Sequence, residues 1–185
     1  MNRYFLRNDH SIQHCISGDE NILELNTPAG AIYVDSEVTV ELTSYWDSYL
    51  SMFMSIGKAP TSNHVFDYAI KQWVDPRTLN EIKAQKWDEI KYERDQLEFG
   101  GFEFEGGVYD SDRVSQGRIM GAASAGIAQV WTLADNTTVK LSAAELQQLY
   151  ASLQAHIASV HERGRIARQL IFEAETKEEV EAIQL

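Results

Sequence analysis

SAAELQQLYASLQAHIASVHERGRIARQLIFEAET, running from Ser142 to Thr176, is the stretch on which the fold turns. Leu146, Leu153, Val160, Ala167 and Ala174 recur every seven residues, and Tyr150, Ile157, Gly164 and Ile171 fill the intermediate position. A sustained seven-residue repeat of apolar positions marks a helix with a coiled-coil-like seam. From Ala143 to about Thr176 that helix spans roughly 50 Å at 1.5 Å per residue. Its seam closes either against a helix of the same chain, for which Pro76 to Leu97 offers an apolar side, or between chains. Leu146, Tyr150, Leu153, Ile157, Val160, Ala167 and Ile171 are therefore the candidate contact seam.

The residues just upstream aim this helix. In WTLADNTTVKL, 131 to 141, Asp135-Asn136 tolerates the left-handed backbone of a tight turn, and Trp131, Leu133, Val139 and Leu141 supply apolar strand positions. Ser142 and Glu145 form a capping box directly after it. Thr176 to Glu179 repeats that pattern, which predicts a short final helix in KEEVEAIQL.

Further upstream, Asp75 suits an N-cap and Pro76 the first helical position, so a helix is expected from there to Leu97, stopped by Gly100-Gly101. Leu79, Ile82, Lys86, Ile90, Glu93 and Leu97 mark one side of it. Its charges are poorly ordered for pairing along the helix, so packing must hold it. FEFEGGVYDSD reads as a hairpin turning through Gly106-Gly107, with Ser111 or Asp112 capping the next helix through VSQGRIMGAASAGIAQV. Gly117, Gly121 and Gly126 make that helix narrow, which predicts close approach by another helix, at about 1 kcal/mol of propensity per glycine.

The first third is strand-like. RYFLR, SIQHCI, NILEL, AIYV and EVTVEL alternate between turn signals at Asn8-Asp9, Ser17-Gly18-Asp19, Asn26 to Gly30 and Asp35-Ser36. A small antiparallel sheet or sandwich is expected. SYWDSYLSMFMSIG, from Ser44 to Gly57, fits a short helix or a buried strand, and HVFDYAIKQWV reads as one last strand. No internal repeat is apparent. The expected class is α+β: a β-rich N-terminal part over 1–74, then a helical part over 75–185 with short hairpins and one long heptad helix.

Composition narrows the function. With 185 residues, 44% hydrophobic and 24% charged, the chain can build a core without staples. Its 28 acidic against 16 basic side chains give a net charge of −12, which argues against nucleic acid and anionic lipid as partners. No apolar run approaches the roughly 20 residues of a membrane span, and the N-terminus lacks the apolar core of a signal peptide. The single Cys15 excludes an intramolecular disulfide, and as a nucleophile it has no motif supplying a base; a small buried residue is the ordinary reading.

Chemistry-bearing patterns are sparse. His10 and His14 lie on a strand and turn, while His156 and His161 diverge by about 140° on a helix, so neither pair has metal spacing. Asp110 and Asp112 with Glu103 and Glu105 supply oxygen ligands for a hard cation but lack a calcium-loop pattern; a helix cap with a solvated acidic face is the ordinary reading. His161, Arg165 and Arg168 share a helix face that suits an anion or acidic partner, against the alternative of a solvated flank beside Glu173 and Glu175. Asn136-Thr137-Thr138 matches a glycosylation sequon and reads as a turn. Phosphate-loop, Gly-x-Ser-x-Gly and zinc-protease motifs are absent, so no catalytic residue, cofactor or metal is expected.

Four segments, taken in order, carry a resemblance: WVDPRTLNEIKAQKWDEIKYERD, GGFEFEGGVYDSDRVSQGRIMGA, WTLADNTTVKLSAAELQQL and HIASVHERGR. Over roughly Trp73 to Ala174 the chain resembles a bacteriophage tail-protein domain family of unknown function, whose members are often described as tail-fibre-associated or tail-fibre-assembly proteins. The resemblance implies a non-enzymatic structural protein of the tail, at or near the fibre and baseplate, made in the bacterial host cytoplasm and carried in the virion. Its partners would be tail fibre or baseplate proteins, with a homo-oligomer possible through the seam. The alternative is a fibre-assembly chaperone that leaves before the virion is complete; a third reading is a small hydrolase using Glu103, Asp110 and Asp112.

Overall fold

The computed structural model describes residues 1–185, which form an α+β protein divided into two compact units, Met1–Arg77 and Thr78–Leu185. In the first unit β1 (Asn2–Leu6) lies between β2 (Ile12–Ser17) and β3 (Tyr33–Ser36) in an antiparallel sheet. Tyr4, Leu6 and Ile12 form its apolar centre, against which Val34, Val40, Trp46 and Phe53 pack. On the other face, buried Arg3 makes a two-point bond to Asp35 at 2.8 Å and reaches Glu24 at 3.0 Å. Hydrogen bonding to Asp35 raises the Arg3 pKa, and the guanidinium in turn holds the Asp35 carboxyl below its usual range.

Two segments expected as strands fold otherwise. NILEL lies in helix α1 (Glu20–Leu25), because the Asp19 carboxylate accepts from the Ile22 amide as an N-cap and Leu23 is buried. EVTVEL forms no strand, because side chains take over its backbone: Ser36 Oγ accepts from the Val38 amide, and Tyr4 Oη accepts from the Val40 amide at 2.6 Å.

The remainder of the unit is two hairpins. β4 (Ser44–Asp47) pairs with β5 (Met52–Ser55), which settles the ambiguous Ser44–Gly57 stretch; β6 (Val65–Asp67) pairs with β7 (Gln72–Val74), where one strand was expected. They are an internal repeat that the sequence reading missed. Trp46 faces Phe53 across the first and Phe66 faces Trp73 across the second, each pair edge to face. Asp47 accepts from the amides of Tyr49 and Leu50, and Asp67 from those of Ala69 and Ile70. Ser51 and Lys71 close the loops at φ 53° and 57°. The turn signal was hidden because neither closing residue is Gly, Asn or Asp.

The second unit begins at Thr78, not Asp75. Thr78 and Glu81 form the capping box of α2 (Leu79–Phe99), while Asp75 instead accepts from the Arg77 amide and guanidinium. Ile82 and Ile90 are the buried side of α2, whereas Glu93 and Leu97 of the expected side are exposed. β8 (Phe102–Phe104) and β9 (Gly107–Tyr109) pair with Phe104 opposite Gly107, so the turn is Glu105-Gly106, one residue earlier than expected. Glu105 takes φ 47° because Gly107 already belongs to the ladder.

Asp112 caps α3 (Arg113–Ala125), which ends at Gly126 in the left-handed conformation instead of running to Val130. Ser111 is fully buried: its Oγ accepts from the Gly101 amide at 2.9 Å and donates to the Glu98 carbonyl at 2.6 Å. The expected close approach at Gly117 and Gly121 does not occur. Both are exposed, and Ile119, Ala122 and Ala123 form the buried side instead.

β10 (Gln129–Thr132) and β11 (Thr138–Leu141) form the hairpin expected before the long helix, with Asn136 at φ 67°. The Ser142–Glu145 capping box opens α4 (Ala143–Glu173), 31 residues and so about 46 Å long. Leu146, Leu149 and Leu153 join Phe102, Tyr109, Ile119 and Leu141 in one core cluster, each buried leucine contributing about 1.5–3 kcal/mol. Lower down, Ala167 and Ile171 meet Ile90 of α2. Thr176 and Glu179 cap α5 (Lys177–Glu181), whose Val180 is buried.

Candidate functional site

The seam expected as a contact surface is covered by its own chain. Leu146, Leu153, Val160, Ala167 and Ile171 are buried within the second unit, and Tyr150 and Ile157 pack against its core. Five of the seven seam positions are thus covered within the chain, while Tyr150 and Ile157 stay partly exposed. Leu149, buried with them, was not in the expected seam because it falls outside the positions spaced by sevens.

His161, Arg165 and Arg168 do lie along one flank of α4, all exposed, yet each meets a group of the same chain. His161 Nε2 donates to Glu98 Oε2 at 2.9 Å, Arg165 pairs with Glu162, and Arg168 stands 5.5 Å over the Trp87 ring. His156 Nε2 similarly donates to the Leu97 carbonyl at 2.9 Å while its ring stacks on Phe102. The two helical histidines thus fasten the end of α2 to α4, a structural role for a residue pair without metal spacing.

The acidic group is dispersed among local duties. Asp112 accepts from Val114 and Ser115, whose hydroxyl and amide, followed by the Val114 amide, hold its carboxyl below the usual range. Glu105 is the hairpin turn, Glu103 and Asp110 are exposed, and no cluster of three His, Cys, Asp or Glu side chains has the proximity to hold a metal ion. Asp110 lines an open cleft of about 500 Å³ between α3 and β10, with Ser115, Arg118, Trp131 and Leu133. The Ser115 hydroxyl is committed to Asp112 at 2.6 Å, so the cleft offers a mixed polar and apolar surface, without a nucleophile aligned on a base.

What the sequence reading missed sits in the first unit. Tyr49 is 94% exposed at the first hairpin loop, Leu50 beside it and Ile70 at the equivalent point of the second loop are also exposed, and Val65 lies open on a strand. Large apolar side chains are exposed on both short hairpins, the kind of surface suited to contact with protein. The signal was available in WDSYLSMF and FDYAIKQW, whose aspartates are twenty residues apart.

No helix is long and apolar enough to cross a membrane. No curated protein and no solved structure matches the chain. A family model described as a domain of unknown function (DUF4376) matches residues 81–184, more than half of the chain and nearly all of the unit built from α2 to α5. The helical unit with its internal seam is thus the part that places the protein, and the chain belongs to the DUF4376 family.

Proposed function

We propose that this protein is a non-enzymatic structural component of a bacteriophage tail, at or near the fibre and baseplate, acting through protein contacts in fibre attachment or assembly. The resemblance of the Trp73–Ala174 segments to tail-fibre-associated proteins supports this reading. The observation that carries the contact role is the exposed apolar set on the paired hairpins: Tyr49, Leu50, Met52, Val65 and Ile70. Contacts are made by this surface and not by the α4 seam, most of whose side chains are buried. The charge of −12 favours partners with basic surfaces.

Mass spectrometry of purified virions tests the proposal: stoichiometric copies are expected. Presence in the infected cell with absence from the particle would instead make it an assembly chaperone. Tyr49→Ser combined with Ile70→Ser should lower incorporation without lowering the melting temperature, since both side chains are exposed.

A further inference from the structure

The two hairpins are not merely alike; they are stacked, each showing a different face to what precedes and follows it. The Trp46–Phe53 face of the first packs on the three-stranded sheet, Phe53 lying 5.0 Å from the Tyr4 ring. Its opposite face carries Tyr45 and Asp47 and is covered by the second hairpin. Phe66 stacks on Tyr45 at 5.7 Å, Tyr68 meets its edge, and Lys71 Nζ reaches Asp47 Oδ2 at 2.7 Å while standing over the Tyr45 ring. The residue that closes the second loop thus delivers the cation that the first loop's aspartate needs.

The same face of the second hairpin carries the equivalent residues, with Val65 exposed and Asp67 half-buried. Val65 takes the place of Tyr45 and Asp67 that of Asp47. Tyr45 is 8% exposed and Val65 is 51% exposed. Asp67 spends Oδ1 on its own loop amides, as Asp47 does, and no basic side chain stands at ion-pair distance from it. The hairpin-on-hairpin interface occurs once, and the outer face of the second hairpin repeats its aspartate without a cation.

We infer that the Val65–Asp67 face is a socket for a third hairpin from a partner protein, one presenting paired aromatics and a basic residue at its left-handed loop position, which would ion-pair with Asp67. The assignment rests on the protein-contact reading above and specifies its partner class. A second copy of this chain cannot supply that hairpin while folded, because the Trp46–Phe53 and Phe66–Trp73 faces are both covered and Lys71 is held by Asp47. Two copies meeting face to face would set Asp67 against Asp67, an arrangement opposed by like charge.

The test titrates the full-length chain with a disulfide-closed synthetic peptide carrying the Val65–Val74 sequence, followed by the methyl resonances of Val65. Saturable shifts at millimolar peptide, weakened roughly fivefold by Asp67→Asn, are expected for one partly exposed ion pair. A peptide with Lys71→Glu should bind poorly to the native chain and recover on the Asp67→Lys chain. Shifts that map elsewhere, or binding indifferent to both charge changes, would overturn the socket, as would a dimer of the chain that Val65→Lys dissociates. Failure here leaves the virion measurement untouched, so the socket and the tail assignment fall separately.

Discussion

In the second unit one helix of 31 residues carries a side of nearly every core contact, whereas in the first no strand or helix exceeds six residues. The two halves fill a core by different routes. Along α4 the buried leucines share one axis, so a cap, a heptad and a preceding hairpin suffice to place them. In the first unit single side chains from separate strands converge, and side chains make the long-range bonds: Arg3 to Asp35, Lys71 to Asp47, the Val40 amide to the Tyr4 hydroxyl. A core assembled along one element tolerates loss at its ends, while one assembled from ion pairs between segments depends on their charge state.

The largest expected effect probes the helical core. Leu153→Ala removes a fully buried side chain from the cluster with Phe102, Tyr109 and Ile119, at a cost of about 2–5 kcal/mol. Denaturant unfolding measures it, and amide exchange should show the protection lost in residues 78–185 and kept in the first unit. Loss spread evenly over both units would erase the distinction between them.

Acid probes the other half. Asp35 and Asp47 titrate below the usual carboxylate range because Arg3 and Lys71, respectively, hydrogen-bond to them, and Asp9 does because of Ser11. Depressed folded-state pKa values contribute stability that is present above the unfolded value of about 3.9 and lost as pH falls through the folded values. In the second unit the depressed groups, Asp112, Glu145 and Glu179, cap their own helices, and Asp135 its own turn. Below about pH 4 the long-range bonds of the first unit should therefore fail first. The four tryptophans report it: the indole signals of Trp46 and Trp73 should lose dispersion before those of Trp87 and Trp131. Simultaneous loss would mean that segment-bridging and helix-capping carboxylates weigh alike.

The same contrast explains what could be read without coordinates. Residues 131–173 were legible almost residue by residue because turn, capping box and heptad all act within a few positions of one another. With the strand-rich first third they carried the α+β class, while the seam was read as closing either within the chain or between chains. The paired hairpins were missed although WDSYLSMF and FDYAIKQW repeat at twenty residues, because their strands have three or four residues, too few for alternation to stand out, and their loops close on Ser51 and Lys71. Nor could spacing tell that the seam packs on Phe102, Tyr109, Ile119 and Leu141 at one end and on Ile90 of α2 at the other, since an apolar heptad is equally satisfied within and between chains. The candidate site suffered most, because a contact surface made of exposed loops has no periodicity.

A smaller effect tests a joint inside the helical unit. Ser111→Ala leaves the Gly101 amide and Glu98 carbonyl without their shared hydroxyl and should cost about 1–3 kcal/mol, read by denaturant midpoint. Its position between the end of α2 and the start of α3 makes it a local staple, so the loss should leave the first unit's acid response unchanged.

The smallest effect has the opposite sign. A Cβ added at Gly164 would lie 3.3 Å from Arg94 Cδ, where α4 meets α2, so that glycine is used for close approach. At Gly117 and Gly121 of α3 an added Cβ meets nothing within 4 Å. Their backbone angles are helical, and alanine costs less unfolded-chain entropy than glycine. Gly117→Ala should therefore raise stability by up to about 1 kcal/mol, and Gly121→Ala by a similar amount. Urea melts of the two variants measure the gain directly. Under the tail assignment proposed above, pull-down from an infected lysate then separates fold from function: if the more stable variants lose a partner that wild type retains, the bare backbone of α3 is itself a contact surface, and contact surface is shared by both halves of the molecule.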